Sequence, residues 1–302
     1  MRADQISEIV LLILGSFLLI AGAVRFIAMG GWRRAFALPL LKPIGLTAPD
    51  VILAVCLFLL TGSFVLRAAS SILPRGESIA PAATSPAPTG PDGGDGTAPD
   101  SSELAVRAFA DLIAKSILIG LFVSIVYFRL GRAGWADWGL NLSGLPRYCL
   151  WAVLVYLAFW PICAGLLMIS TTILEWRGWG GEIREHSAIL TLQDERTATN
   201  VVVMTALGAI VFAPIVEELL FRGLIFRSLQ AYYKSTWPAA LVSGLLFGMI
   251  HVGSPQTVVP LVFFGILLAA AYARTGSLAF TILIHAVFNA KTVIWLLLGT
   301  RA

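Results

Sequence analysis

The stretch Ala213 to Phe226, APIVEELLFRGLIF, places two adjacent glutamates and an arginine inside a run of apolar residues. Apolar runs of about 17–25 residues recur along the chain, and each is long enough to cross a hydrocarbon layer of roughly 30 Å as a helix. The composition agrees, with 58% hydrophobic and 13% charged residues and a mean hydropathy of +0.86. A soluble core does not absorb so much apolar side chain. The sequence therefore predicts an all-α polytopic membrane protein.

Eight segments are apolar and long enough to be predicted as transmembrane helices. They cover residues 6–28, 51–69, 104–128, 149–173, 200–220, 236–252, 257–273 and 277–298. Pro, Gly, Ser and Asp dominate the stretch between the second and third segments, which has little to bury and is predicted to be a flexible linker. The predicted organisation is an N-terminal transmembrane hairpin at 1–73, a linker at 74–103 and a membrane domain at 104–302.

The basic residues lie in short clusters between the apolar segments, and the formal net charge is +4. Such clusters are typical of membrane-protein loops and not of a nucleic-acid surface, so the expected partner is membrane lipid and no nucleic acid. The basic loops all fall on one side if the helices alternate, and the positive-inside rule predicts that this side is cytoplasmic. The stretch WADWGLNLSGLPRY, at 135–148, is predicted to lie at that boundary because of its tryptophans.

Ionisable side chains occur at three places within the apolar segments. Each costs at least ~2.5–3.5 kcal/mol at membrane depth, so such groups usually face a protein interior and often mark function. They are Glu217, Glu218 and Arg222 in the opening stretch, His251 at the end of FGMIH, and His285 beside the polar Asn289 in HAVFN.

Helical spacing places some of these side chains on the same helix face and leaves Glu217 without a local partner. Glu218 and Arg222 are four residues apart on one helix face and can neutralise each other. Glu217 points about 100° away on the same helix. His285 and Asn289 share the four-residue spacing, so both project from one face. This combination in consecutive segments predicts a functional site.

The residue types are compatible with two kinds of peptide hydrolysis. A carboxylate beside an imidazole is a competent base for taking a proton from water. An asparagine amide and a second imidazole can donate hydrogen bonds to the oxyanion that forms when that water attacks a carbonyl. Alternatively, Glu217, His251 and His285 could be three ligands of a zinc ion with an open fourth position.

Three motifs together resemble those of the CAAX protease and bacteriocin-processing family, also called the Abi family. The motifs are EELLFR (Glu217 to Arg222), FGMIH (Phe247 to His251) and HAVFN (His285 to Asn289). They match the EExxxR, FxxxH and HxxxN patterns of the family in order and in rough spacing. Pro214 before the glutamates is similar to bacterial members, so a bacterial inner (plasma) membrane is the predicted location. The resemblance covers about residues 198–298 and extends the prediction to a protease domain over 104–302.

The resemblance implies an intramembrane endopeptidase similar to type II CAAX prenyl endopeptidases, acting on a membrane-bound or lipidated peptide. The implied roles are water activation by Glu217 with His251, an oxyanion site of His285 and Asn289, and support from Glu218, Arg222 and Phe247. A glutamate mechanism without a cofactor is preferred, and a zinc metalloprotease is the alternative. A non-catalytic scaffold of the same fold and an ion-coupled transporter are further alternatives; the absence of inverted repeats disfavours the transporter.

Glu217 and His251 would lie at different depths in the membrane if the fifth segment were one simple span, and this difference predicts a helix break at Pro214. If the fifth segment ended near residue 220, Glu217 would lie near the cytoplasmic boundary, roughly 21 Å in depth from His251 at 1.5 Å per residue. Proline removes one hydrogen bond and can break a helix. A second helix from about 214 to 233, antiparallel to 237–251, would bring the glutamate and the histidine to similar depth.

Overall fold

The computed structural model describes residues 3–28, 37–43, 45–72, 101–140, 144–182 and 187–301. Their helices are α1 (Ala3–Ala28), α2 (Ala48–Ile72), α3 (Ser101–Trp138), α4 (Leu145–Trp176), α5 (Ser187–Gln193), α6 (Thr199–Tyr233), α7 (Thr236–Met249), α8 (Pro255–Thr275) and α9 (Leu278–Arg301). These ranges contain no strand, and the predicted all-α class is confirmed. Most of the predicted linker lies outside the described residues.

Seven of the described helices are long and apolar enough to cross a membrane: α1, α2, α3, α4, α6, α8 and α9. The predicted segment 236–252 corresponds to α7, which is apolar but has only 14 residues. At 1.5 Å per residue α7 is about 21 Å long, shorter than the roughly 30 Å hydrocarbon layer. The protein is therefore polytopic as predicted, with seven full-length candidate spans among these residues and one short helix.

The predicted break at Pro214 is wrong, because α6 continues as one helix from Thr199 to Tyr233. Its α-helical turns alternate with two π-helical segments, Gly208–Phe212 and Leu219–Phe226, and the junction residues keep right-handed helical angles. In an α-helix the proline ring would clash with the carbonyl four residues back. The wider π turn just before the proline accommodates the ring without ending the helix.

Because α6 continues to Tyr233, Glu217 and His251 lie at similar depths. The chain reverses between Tyr233 and Thr236, where Lys234 has a positive φ of 52°. Glu217 lies 16 residues before the end of α6, and His251 lies 15 residues after the start of α7. Both are therefore about 22–24 Å from the reversal at 1.5 Å per residue. The predicted antiparallel arrangement forms because the helix extends past residue 220.

The middle of α6 lies at the centre of the bundle. All eight residues of Leu219–Phe226 are buried, and α2, α3, α7, α8 and α9 contact this segment. A helix that is buried and apolar on every side belongs in a core. Trp138 packs here too: it is fully buried, and a Cβ on Gly223 would lie 3.4 Å from its ring. Trp138 thus packs inside the protein, and the location of the stretch 135–148 at the membrane boundary stays a prediction.

Small residues bring α7 and α8 into close contact. A Cβ on Gly265 would lie 2.8 Å from the Cα of Gly244, and a Cβ on Gly248 would lie 2.8 Å from the carbonyl oxygen of Val258. Helices in membranes approach most closely where glycines face each other. This contact positions the main chain of α8 next to the polar groups of α6.

The two N-terminal helices pack against different parts of the bundle. Helix α1 lies chiefly on α4 and also touches α9, whereas α2 lies chiefly on α3. At Gly15 a Cβ would collide with the carbonyl oxygen of Leu157, so α1 packs closely on α4 there. The division of the chain into hairpin, linker and membrane domain stays a prediction.

Candidate active site

Glu218 and Arg222 form the ion pair that their spacing predicts. Arg222 Nη1 donates to Glu218 Oε1 at 2.8 Å, and both side chains are 0% exposed. Arg222 Nη2 donates to the carbonyl oxygen of Gly265 at 2.9 Å, and the guanidinium lies 4.6 Å from the ring centre of Phe247. The arginine thus connects α6 to α8 and α7. Removing one partner of such a buried pair leaves an uncompensated charge, which costs about 3–5 kcal/mol.

His285 stands between the two glutamates. Its Nδ1 lies 3.1 Å from Glu218 Oε1, and its Nε2 lies 3.7 Å from Glu217 Oε2. A carboxylate paired with arginine can only accept hydrogen bonds, so Nδ1 is the donor and carries the proton. The edges and faces of Phe247 and Phe264 enclose the imidazole, with ring centres 5.6 and 5.5 Å away. Nε2 on the other side of the ring therefore faces Glu217.

Both glutamates have a buried Oε2 without a hydrogen-bond partner among the described residues, but Glu218 is held through Oε1 by Arg222 and His285, whereas Glu217 is not paired with the arginine. The Glu217 side chain is 16% exposed, and its Oε2 is buried without a hydrogen bond from any described residue. A buried polar atom without a partner is costly, and in native proteins such atoms often mark a site for water or for chemistry. The spacing along α6 predicted that Glu218, and not Glu217, pairs with Arg222.

His251 contacts Phe247, whose ring also contacts His285. It lies in the turn after α7, half-buried, with Nδ1 3.0 Å from the carbonyl oxygen of Phe247 and its ring 5.4 Å from the phenyl ring. A carbonyl only accepts, so Nδ1 is the donor, and Nε2 has no hydrogen bond with any described residue. The phenyl ring is in contact with both histidines. The imidazole nitrogen beside Glu217 is Nε2 of His285. The resemblance had implied that His251 would be the partner of Glu217.

Asn289 connects α9 to the first π turn of α6. The N–H of Ala213 donates to the carbonyl oxygen of Gly208, five residues back, and so does not reach that of Ala209. In the same π register the next donor would be residue 214, and Pro214 has no N–H. Asn289 Nδ2 supplies the missing hydrogen bond at 2.8 Å from the Ala209 oxygen. One of its two amide hydrogens is thus used here, and the second remains for another acceptor.

The described side chains do not fit a metal site. Among the described residues, no group of three or more His, Cys, Asp or Glu side chains is close enough to hold a metal ion. Glu217, His251 and His285 are therefore not arranged as a ligand set in this structure. In addition, Nδ1 of His285 is already engaged by Glu218.

Residues outside the three motifs support the site through their main chain or their small size. Gly265 offers its carbonyl oxygen to Arg222, and Ala209 offers its own to Asn289. The G-x-x-x-G spacing of Gly244 and Gly248 is a sequence signal for close helix packing, and it predicts the α7–α8 contact. No comparable signal marks Ala209, because its free carbonyl depends on a π turn.

Part of the chain is similar to a known protein family. The fold and the site define a polytopic membrane protein with a buried glutamate, histidine and arginine cluster. Residues 199–291, which contain all the site residues above, match the family described as "Type II CAAX prenyl endopeptidase Rce1-like". This match confirms the resemblance inferred from the motifs over residues 199–291.

The chain is also similar to an Escherichia coli protein named "Uncharacterized 24.3 kDa protein". The two are 33% identical over 87 residues, which is 28% of this chain. The chain spans 40% of the length of that relative. No solved structure matches the chain.

Proposed function

We propose that the protein is an intramembrane endopeptidase that hydrolyses a peptide bond of a membrane-associated protein or peptide. One observation carries the proposal. Glu218 is held by Arg222 and His285 through Oε1, whereas Glu217 is not paired with the arginine and its buried, unsatisfied Oε2 lies 3.7 Å from His285 Nε2. A water molecule bound to that oxygen would have a carboxylate and an imidazole as its neighbours, which is the arrangement needed for general base catalysis.

The proposed reaction uses only side chains and water. Glu217 takes a proton as the water oxygen attacks the carbonyl carbon and forms the new C–O bond. The proton then goes to the amine leaving group as the C–N bond breaks. His285 in its protonated form, with hydrogens on both ring nitrogens, donates from Nε2 to the oxyanion, and the second amide hydrogen of Asn289 is the other donor. His251, with Nε2 free, is the second base.

The proposed substrate is a membrane-bound or lipidated peptide, because the site lies on helices long enough to span the membrane. We place the protein in a bacterial inner membrane, surrounded by lipid and without a nucleic-acid partner. No cofactor is required by this mechanism. The zinc-dependent alternative is less well supported, because its three ligands are not gathered.

Substrate trapping tests the proposal. Glu217→Gln keeps the size of the side chain but removes the base, so protein fragments produced by the wild type in native membranes should be lost, and uncut precursors should be captured. The matched control is Glu195→Gln, which changes an exposed loop glutamate. New N-termini are compared by mass spectrometry. An identical set of termini from Glu217→Gln and wild type, together with an unchanged cellular phenotype, would instead support the non-catalytic scaffold.

A further inference from the structure

Three buried polar side chains hold a short segment between α1 and α2. Residues 37–43, ALPLLKP, form neither helix nor strand. The side chains that hold them are Arg227 and Gln230 of α6 and Thr236 of α7, which are 5%, 4% and 4% exposed. Polar groups this deeply buried need hydrogen-bond partners, and here the partners come from a distant part of the chain.

The contacts go to main-chain atoms of the segment. Gln230 Oε1 accepts from the N–H of Leu41 at 3.0 Å, and Gln230 Nε2 donates to the carbonyl oxygen of Pro39 at 3.2 Å. The Thr236 hydroxyl donates to the same Pro39 oxygen at 2.9 Å. Arg227 donates to the carbonyl oxygen of Lys42. The amide of Gln230 thus binds the segment on both sides of Leu40, as a neighbouring strand would.

The side chains of the segment contribute less to the contact. Leu38 and Leu41 are partly buried against the core, while Leu40 is 56% exposed. The Lys42 side chain pairs with Asp137 at 3.0 Å, but its own side chain is 74% exposed, and such surface pairs contribute little. Recognition therefore depends on the main chain and on two apolar side chains three positions apart.

We propose that Arg227, Gln230 and Thr236 form a second binding site, for an extended peptide with the pattern apolar–Pro–x–apolar, and that residues 38–42 occupy it in cis. All three binding residues lie in the part that matches the family, whereas the occupant lies outside it. Each main-chain hydrogen bond contributes modestly, so a peptide with the same main-chain groups can replace the segment.

The position of this site also fits a peptide substrate. Gln230 is 13 residues from Glu217 along α6, or about 20 Å at 1.5 Å per residue. About six residues of extended chain span that distance. A single substrate could therefore reach both sites, and this last step alone rests on the proposed hydrolysis.

Peptide binding tests the second site without using catalysis. A fluorescent peptide, Ala-Leu-Pro-Leu-Leu-Lys-Pro, is added to the detergent-solubilised full chain and to a variant with residues 38–42 replaced by a Gly/Ser stretch of equal length. Fluorescence anisotropy should show binding to the variant. Binding to the wild type should be about ten-fold weaker or more, because a tethered segment competes at high effective concentration.

Two controls separate recognition from partition into detergent. The same peptide with an N-methyl group on its second consecutive leucine, the equivalent of Leu41, cannot donate to Gln230 and should bind about five-fold more weakly. Gln230→Leu in the Gly/Ser variant should weaken binding similarly, whereas Gln193→Leu should not. Equal binding of both peptides, or equal binding to wild type and variant, would overturn the proposal.

A measurement on the unmodified chain covers the case in which the Gly/Ser variant does not fold. Hydrogen exchange at the Leu41 amide should accelerate when excess unlabelled peptide displaces the segment, and the N-methylated peptide should have no such effect. Unchanged exchange at the highest peptide concentration would overturn the proposal. Since neither readout involves hydrolysis, failure here leaves the proposed enzymatic activity untouched, and loss of that activity leaves this site untouched.

Discussion

The centre of the bundle and its edge at α1 each contain an ion pair, and the two pairs are built differently. Glu218 and Arg222 lie four residues apart on α6 and are fully buried. Glu8 of α1 and Lys291 of α9 are 283 residues apart, and both side chains keep some exposure, 24% and 12%. The central pair follows from local spacing, whereas the edge pair exists only because two distant helices meet.

The surroundings of the two pairs differ as well. Arg222 has a second partner in the carbonyl oxygen of Gly265, and Glu218 also accepts from His285, so the central pair is part of the site. The Lys291 ammonium lies 3.5 Å from the ring centre of Trp160 and 5.3 Å from that of Trp295. Those rings provide cation–π contacts that remain if the carboxylate is removed. The central pair should therefore be much more sensitive to substitution than the edge pair.

Arg222→Met gives the largest expected effect. It leaves the Glu218 carboxylate buried without its cation, so the free energy of unfolding should fall by about 3–5 kcal/mol. The control is Arg107→Met, which removes an exposed i,i+4 pair with Glu103 and should cost no more than about 1 kcal/mol. Denaturant unfolding in detergent measures both. Equal losses in the two variants would show that burial does not set the importance of the central pair.

Gly244→Ala tests the packing that holds α8 against the central pair. The new Cβ would lie 2.6 Å from Ile266 Cγ1 and 2.9 Å from the carbonyl oxygen of Val262, so overpacking should cost about 1–3 kcal/mol. Gly165→Ala on α4 meets nothing within 4 Å and is the matched control. The thermal unfolding temperature should drop for the first variant only. A similar drop for the control would mean that close packing is not the cause.

Asn289→Ala tests the contact between α9 and the π turn. It leaves the Ala209 carbonyl oxygen without its donor, and the expected cost is about 1–3 kcal/mol. Pro214→Ala returns an N–H at position 214, so the same substitution should cost less in that background. A double-mutant cycle on unfolding free energies gives the coupling. Additive effects would contradict the explanation that the asparagine replaces the donor that proline lacks.

Glu8→Gln gives the smallest expected effect. The amide keeps one hydrogen-bonding oxygen, Lys291 keeps its two tryptophan rings, and the pair is partly exposed, so the loss should be about 1 kcal/mol or less. Unfolding measured beside Arg222→Met provides the comparison. A loss as large as that of the central variant would place α1 among the elements on which the core depends.

Hydropathy predicted most of the fold because each span must satisfy its backbone within a helix and present apolar side chains to lipid. It ended the fifth segment at residue 220, whereas α6 continues to Tyr233, and the Arg227 guanidinium is buried and donates to main-chain oxygens of Asp137 and Lys42. The predicted break at Pro214 failed because a π turn accommodates the proline. Local composition shows neither feature, because both depend on partners far away in the chain.

The sequence by itself determined the helical membrane architecture, the Glu218–Arg222 pair and the isolation of Glu217, because these follow from hydropathy and from 3.6 residues per helical turn. Tertiary structure decided which histidine lies beside Glu217, which carbonyl oxygen the Asn289 amide binds, and which segment binds the side chain of Gln230. Those contacts join residues on different helices, and their geometry depends on how closely the helices pack and on where α6 widens into π turns.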